Sequence, residues 1–338
     1  MQKLLTIVVP VYKVEPYINK CLDSLILDDE KLMNQLEVII VNDGTPDRSA
    51  EMSREYVKRF PNTFRQIDKE NGGHGSAWNR GLKEATGKYL RFLDSDDWLT
   101  NFEPFMNKIS MVNVDIVFTP INKFYEKTNM IQTYGYDDFQ EMYCYNIETF
   151  EWKPSHQYGI MDFWYATYRT SMLQKHYPLF VEKVYYDDAI LFVAPLILAK
   201  NFVYCNEVLY NYRLEREGQS VDKVVQRKHA LDYVPVSKSM IDFIRRHPDI
   251  SPLQKKRVEE VMSSYIIICF NFFKVLRYKV FKNNVETWYN YVRENCPYFN
   301  RKTLSMKLYE RMPFFIFWIY LKVVPLFSPI RNLLYRFR

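Results

Sequence analysis

Two long apolar runs that end in polar residues constrain this chain more than anything else in it. LLTIVVPVY (4–12) and LEVIIVND (36–43) are rich in β-branched residues and show no alternation of polar and apolar positions. A strand of that kind is covered on both faces, as in a parallel sheet. KYLRFLDSDD (88–97) and VDIVFTPI (114–121) read as further strands, and FRQIDKE (64–70) as a weaker one. Between them stand helix-spaced segments at 16–27 and 49–59. The loop NGGHGSAWN (71–79) runs into a helix that stops at Gly87. This alternation specifies an α/β fold with a doubly wound, mostly parallel sheet. Such sheets bind ligands beyond the carboxyl ends of their strands. Pro10 to Lys13, Asn42 to Thr45 and Asp94 to Asp97 all fall there.

A chain of 338 residues is long enough for a large core. Five scattered cysteines without a CxxC pair argue against a zinc site or a disulfide framework and fit a reducing compartment. The N-terminal run meets Pro10 early and lacks a small-residue cleavage site, so it reads as a strand rather than a leader. The net charge of +6 is too small an excess for nucleic-acid binding to be expected.

Asp94-Ser95-Asp96-Asp97 places carboxylates one residue apart at a strand end. Hard oxygen donors there suit Mg²⁺ or Mn²⁺ together with a substrate diphosphate. An Asp-rich turn is the plain alternative, and the preceding buried strand argues for the metal. Asp43, in VNDG, can accept hydrogen bonds from a base or ribose, although Asn-Asp-Gly is also ordinary turn chemistry. The loop at 71–79 matches neither phosphate-binding fingerprint, yet its glycines allow close backbone approach by a ligand. His74 in that loop could contact a ligand, although a loop histidine is more often simply solvated. Asp187 and Asp188, in VYYDDAILF, stand at an expected helix start. The helix dipole favours acids there, and a general base would also fit. Arg213, Arg216 and Ser220 share a turn in NYRLEREGQS, where guanidinium groups can match diphosphate oxygens or simply be solvated.

Taken in order, VVPVYKVEPYINKCLDSL, EVIIVNDGTPDRS, NGGHGSAWNRGL, GKYLRFLDSDDW, YYDDAILF and NYRLEREGQS resemble the family 2 glycosyltransferases, the inverting GT-A enzymes. The resemblance runs from about Leu4 to Ser220. It implies a GT-A catalytic domain over 1–220, a nucleotide-diphosphate sugar donor, usually UDP-linked, and Mn²⁺ or Mg²⁺. It places Pro10, Tyr12 and Glu15 beside the nucleobase and Asp43 on the uracil or ribose. Asn71, Gly72, Ser95 and Arg213 join the donor site. Asp94 and Asp96 match the metal-binding DxD, with Asp97 beside them. Asp188 matches the last acid of a Glu-Asp pair, the base of the family, while Asp187 stands where Glu is usual; which of the two is the base stays open. Trp78 replaces an arginine of the loop, removing a cation that could have faced the donor. The transferred group would be a hexosyl or N-acetylhexosaminyl unit and the acceptor a glycan or polyprenyl-linked hydroxyl in bacterial surface-polysaccharide synthesis.

Residues 221–300 read as a helical region. Residues 301–338 form a basic, aromatic tail in which PFFIFWIYLKVVPLF (313–327) is too short and too interrupted to span a bilayer. That composition suits an element lying on an anionic membrane surface, with the protein cytoplasmic and peripheral; core helices are the alternative. A nucleotidyltransferase would be expected to carry a Gly-rich, basic loop after the first strand, and VPVYKVEPY is not one. A silent scaffold on the same fold is disfavoured by the acids at 43, 94, 96 and 188.

Overall fold

The computed structural model describes residues 3–153, 162–216, 218–220, 222–296 and 311–323. The chain forms two compact units. The first draws on Met1–Ile147, Ile160–Lys183 and Leu198–Arg216; the second on Glu148–Gly159, Val184–Ile197 and Glu217–Arg338. This grouping differs from a single cut after residue 220, because the segment carrying Asp187 and Asp188 packs with the C-terminal helices.

The first unit opens with β1 (Leu5–Val11), α1 (Ile18–Asp23), α2 (Glu30–Gln35), β2 (Leu36–Asn42), α3 (Ser49–Arg59), β3 (Phe64–Asp68), α4 (His74–Glu84) and β4 (Tyr89–Phe92). It continues through β5 (Trp98–Leu99), α5 (Phe102–Ser110), β6 (Ile116–Phe118), β7 (Ile121–Tyr125), β8 (Met130–Tyr134) and β9 (Tyr145–Asn146). The last pieces are β10 (Ala166–Arg169), α6 (Thr170–Gln174), β11 (Asn201–Tyr204) and β12 (Tyr210–Leu214). Eight strands form one sheet in the order β3-β2-β1-β4-β10-β6-β11-β9. The β3-β2-β1-β4 half is parallel throughout. Every residue of β1 and β2 is buried, as their unbroken apolar character requires. Of the three polar exceptions, Thr6 and Glu37 satisfy each other: Thr6 Oγ1 donates to Glu37 Oε2 at 2.6 Å, and Thr86 N donates to the same oxygen at 2.8 Å. Helix α4 lies so close to β1 that a Cβ on Gly81 would stand 2.2 Å from Val8 Cγ1.

The run VDIVFTPI does not form a single strand. It breaks at Thr119-Pro120, and β7 continues in a second sheet of order β5-β12-β7-β8. Proline has no N–H to donate to a ladder, so the chain changes sheets there. Pro10, expected in a loop, belongs to β1; β4 pairs with β1 only as far as Val8, so the missing N–H faces no partner strand on that side.

Register sets the site. Val11 lies opposite Asn42, and Asn42 opposite Asp68. The loops after β1, β2, β3 and β4 therefore emerge at one edge, and the acids after β2 and β4 emerge with them.

The second unit is helical: the short α7 (Ala194–Leu198) at the division, α8 (Lys223–Lys228), α9 (Tyr233–Arg245), α10 (Pro252–Phe273), α11 (Tyr278–Asn295) and α12 (Phe314–Val323). Ser251 caps α10, accepting from Gln254 N while Gln254 Oε1 accepts from Ser251 N. Phe270, Phe273, Trp288 and Tyr289 are fully buried between α10 and α11. Of the basic, aromatic tail, residues 311–323 are described. Helix α12 buries Phe317 and Leu321, and Trp318 Nε1 donates to Leu276 O at 3.1 Å. Residues 301–310 and 324–338 lie outside the described residues.

Candidate active site

The chain after β4 turns sharply, with Asp97 N donating to Asp94 O at 3.0 Å, and enters β5. That turn brings carboxylate oxygens of Asp94, Asp96 and Asp97 within 4.8 Å of one another. Three acids so close repel, and each is held by a different part of the first unit. Asp97 is buried; its Oδ2 accepts from Tyr210 Oη at 2.6 Å and its Oδ1 from Arg213 N at 2.7 Å. Asp96 Oδ2 accepts from Arg216 Nε at 2.9 Å. Asp94 Oδ1 lies 3.1 Å from His74 Nε2, and Asp94 N donates to Tyr210 Oη at 3.2 Å. Burial is the main force raising the carboxyls of Asp96 and Asp97, with their neighbouring acids adding to it; Arg216 opposes the rise at Asp96. An all-oxygen, hard donor set whose anionic form is stabilised by a cation fits Mg²⁺ or Mn²⁺. Asp94 and Asp96 are its more accessible ligands, and Ser95 between them is buried.

The arginines divide their work. The Arg213 side chain is buried, with Nε donating to Asp96 O at 2.9 Å and a guanidinium nitrogen to Glu126 Oε1 at 3.0 Å. Its guanidinium lies over the rings of Tyr17 and Trp98, 4.8 and 5.1 Å from their centroids. It thus braces the acid turn from inside, while Arg216 meets a carboxylate. Beneath the turn, Arg91 is fully buried in β4, donates to Thr167 Oγ1 at 2.9 Å and lies 5.5 Å from the Tyr210 ring centroid. Burial pushes its guanidinium down to about 10.

Asp43 is nearly inaccessible, and its carboxylate organises the neighbouring loop. Oδ1 accepts from Gly72 N at 2.9 Å and from Lys69 Nζ at 2.6 Å; Oδ2 accepts from Gly73 N at 2.8 Å. Asn71 Nδ2 donates to Asp43 O at 2.9 Å. Gly73 has φ +84°, a conformation glycine adopts without strain, and a Cβ there would meet the Lys183 backbone at 3.3 Å. The loop after β1 is tied down as well: Lys13 N donates to Thr45 Oγ1 and Glu15 N to Asp47 Oδ2, at 2.8 and 3.2 Å, while Tyr12 projects into solvent.

A model of "Glycosyl transferase family 2" matches residues 6–177, just over half of the chain. The chain belongs to this family. The chain is 32% identical over 219 residues to "Uncharacterized glycosyltransferase EpsJ" of Bacillus subtilis, covering 63% of this chain and 62% of that protein. It is 28% identical over 257 residues to "Minor teichoic acid biosynthesis protein GgaB" of the same organism, covering 73% of this chain and 27% of GgaB. The chain thus spans less than two thirds of either relative. Among solved structures, S. aureus TarS 1–349 in complex with UDP superposes with a TM-score of 0.59 at 16% identity, over 91% of each chain. That likeness concerns the GT-A fold.

The family match takes in Asp43, the 71–79 loop and the three acids after β4; Asp187, Asp188, Arg213 and Arg216 lie beyond it. In the second unit, Asp187 and Asp188 open a 3₁₀ turn, Asp187–Phe192, at the expected helix start. Tyr186 before them has φ +65°, a left-handed conformation that bulky residues seldom adopt. It is held by stacking on Tyr233 at 4.3 Å, which stacks on Phe272 at 4.5 Å. Burial raises the phenols of Tyr186, Tyr233 and Tyr265, and Asp188 adds to each rise.

Several positions depart from the expectations of the sequence. His74 begins α4 and, while still partly exposed to water, meets Asp94. Trp78, in the place of a loop arginine, is fully buried and stacks on Phe92 at 4.4 Å, so this position packs the core. Lys69, Tyr210 and Tyr17 carried no local signal, since each acts on a partner at least 26 residues away.

Proposed function

We propose that this glycosyltransferase moves a hexosyl or N-acetylhexosaminyl unit from a UDP-sugar to a hydroxyl of a glycan or lipid-linked acceptor, with inversion, in surface-polysaccharide synthesis. The observation that carries the reading is the cluster of Asp94, Asp96 and Asp97 at the carboxyl edge of a family 2 sheet. UDP in the complex of TarS and the teichoic-acid role in the name of GgaB support the donor and the pathway class.

Asp94 and Asp96 would hold Mg²⁺ or Mn²⁺, which supplies charge neutralisation for the diphosphate leaving group. Asp43 keeps the Gly72-Gly73 backbone in place, with Pro10, Tyr12, Glu15, Asn71 and Ser95 around the nucleotide. Asp188 is the base. It takes the proton of the acceptor hydroxyl as that oxygen attacks the anomeric carbon, and the bond from that carbon to the diphosphate oxygen breaks. One displacement inverts the configuration and releases UDP. Asp187, fully enclosed, supports its neighbour.

Titration of the full chain with UDP tests the donor and metal together. Micromolar binding that needs Mn²⁺ and disappears in Asp96→Ala is expected; metal-independent binding, or none, refutes the reading. Asp188→Asn should retain UDP binding and lose transfer. If Asp187→Asn does so instead, the base is the other acid.

Membrane association is part of the same proposal. Helix α12 leaves Phe315, Ile316 and Ile319 exposed beside Arg311 and Lys322, a combination suited to an anionic lipid surface. Among the described residues no helix is long and apolar enough to cross a membrane. Flotation with vesicles containing phosphatidylglycerol should carry the wild type and leave Phe315→Asp/Ile319→Asp behind; equal flotation refutes the surface.

A further inference from the structure

We propose that Arg216 is the resting counter-ion of Asp96, and that it yields this carboxylate to the divalent cation when the donor binds. The inference rests on the metal-dependent reading above and concerns a positioning residue of this chain. Arg216 Nε lies 2.9 Å from Asp96 Oδ2, on one of the two acids proposed to ligate the cation. A guanidinium and a divalent ion on one carboxylate repel each other, so either binds more weakly while the other is present. In the other direction, three clustered acids need a positive charge when no ion is bound, and Arg216 supplies it.

Arg213, Lys20 and Arg216 near this turn differ in how they are held. Arg213 is fixed by Asp96 O, Glu126 and two aromatic rings, and its side chain is 8% exposed. Lys20 holds its ammonium 3.4 Å from the Trp98 ring centroid. Arg216 is 21% exposed and lies over the outer part of this cluster, 5.2 Å from the Tyr17 ring centroid. The backbone around it also changes character. Up to Leu214 the strand is zipped to β7, and Glu126 N donates to Leu214 O at 3.1 Å. Glu215 is then left-handed at φ +71°, and Gly218, also left-handed, has nothing within 4 Å of a Cβ position. The step inferred is a rotation about the side-chain bonds of Arg216 that takes the guanidinium off Asp96, after which its planar fork suits the diphosphate oxygens. Donor and cation would therefore bind cooperatively, through a side chain that opposes the cation alone and favours the pair.

Calorimetry with Mn²⁺ on the full chain, with and without UDP, tests this in wild type, Arg216→Gln, Arg216→Lys and Asp96→Ala. Without UDP, Arg216→Gln should bind Mn²⁺ roughly tenfold more tightly than wild type, a typical coupling between linked sites, and Arg216→Lys should stay near wild type because it keeps the charge. With Mn²⁺ present, Arg216→Gln should bind UDP roughly tenfold more weakly. Mn²⁺ binding in Arg216→Gln that is equal to or weaker than wild type overturns the inference and leaves the metal reading intact. Mn²⁺ binding that is absent from wild type even with UDP, or that persists in Asp96→Ala, overturns the metal reading and the inference together.

Discussion

Asp43→Asn separates two roles that sequence and structure assign to one acid. By motif, Asp43 touches the nucleotide; in the structure its carboxylate accepts from Gly72 N, Gly73 N and Lys69 Nζ at 2.6–2.9 Å while nearly inaccessible. An asparagine keeps one acceptor oxygen and sets an NH₂ against the remaining donor. Hydrogen bonds to a charged group contribute about 1.5–3 kcal/mol each, and an orphaned buried N–H costs about 1–3 kcal/mol. The Lys69 pair, partly open to water, adds little. A net loss of about 3 kcal/mol follows, part of the strain being relieved by loop movement. For a unit of this size each kcal/mol moves the unfolding midpoint by roughly 2–4 °C, so a fall of about 6–12 °C is expected. Differential scanning calorimetry without nucleotide measures it, and hydrogen exchange should show lost protection at Gly72 and Gly73. A midpoint within about 1 °C of wild type, with those amides still protected and only UDP binding lost, would refute the loop-building role.

The remaining predictions concern packing, charge and catalysis. Gly81→Ala should destabilise the protein by about 1–3 kcal/mol, overpacking against Val8 outweighing the roughly 1 kcal/mol gained in helix propensity. Chemical denaturation should show recovery in Gly81→Ala/Val8→Ala, and a stabilised single variant would contradict the close approach of α4 to β1. Because the carboxyls of Asp96 and Asp97 are raised in the folded state, the folded chain binds more protons than the unfolded one above the ordinary carboxylate range. Stability without a cation should therefore fall as pH rises from about 4 through the folded values, and saturating Mn²⁺ should flatten that fall; parallel melting curves with and without Mn²⁺ would count against the cluster as a cation site. Asp188→Asn should lower transfer by about 10²–10⁴-fold in a radiolabelled-sugar assay, the range general-base catalysis supplies.

The parallel half of the sheet was legible because burial on both faces leaves unbroken apolar sequence, as in β1 and β2. The acids after β4 were legible for the complementary reason: charges cannot follow a buried strand unless they emerge at an edge. The other half, of mixed direction, was harder to read. Strands β9, β10 and β11 are two to four residues long, too short to show a period, and β10 joins β4 and β6 across gaps of more than 45 residues. The change of sheets at Pro120 was signalled by the proline itself, within a run whose apolar character spoke for continuity.

What sequence spacing conveys least is which distant residues hold a site in shape. Asp97 is adjacent to the DxD acids, and the sequence says only that it extends the motif. Its two hydrogen bonds, to Tyr210 Oη and Arg213 N, reach 113 and 116 residues along the chain. They exist because β5, the two residues after the acids, pairs antiparallel with β12. That pairing carries Arg213 beneath the turn and delivers Arg216 to Asp96. The acid turn is thus the meeting point of the two sheets, and its charges are balanced by side chains supplied after some 110 intervening residues. A local motif can specify the donor set for a cation. The strength with which that set binds depends on the counter-charges brought by β12, and these became visible only when the two sheets were placed together.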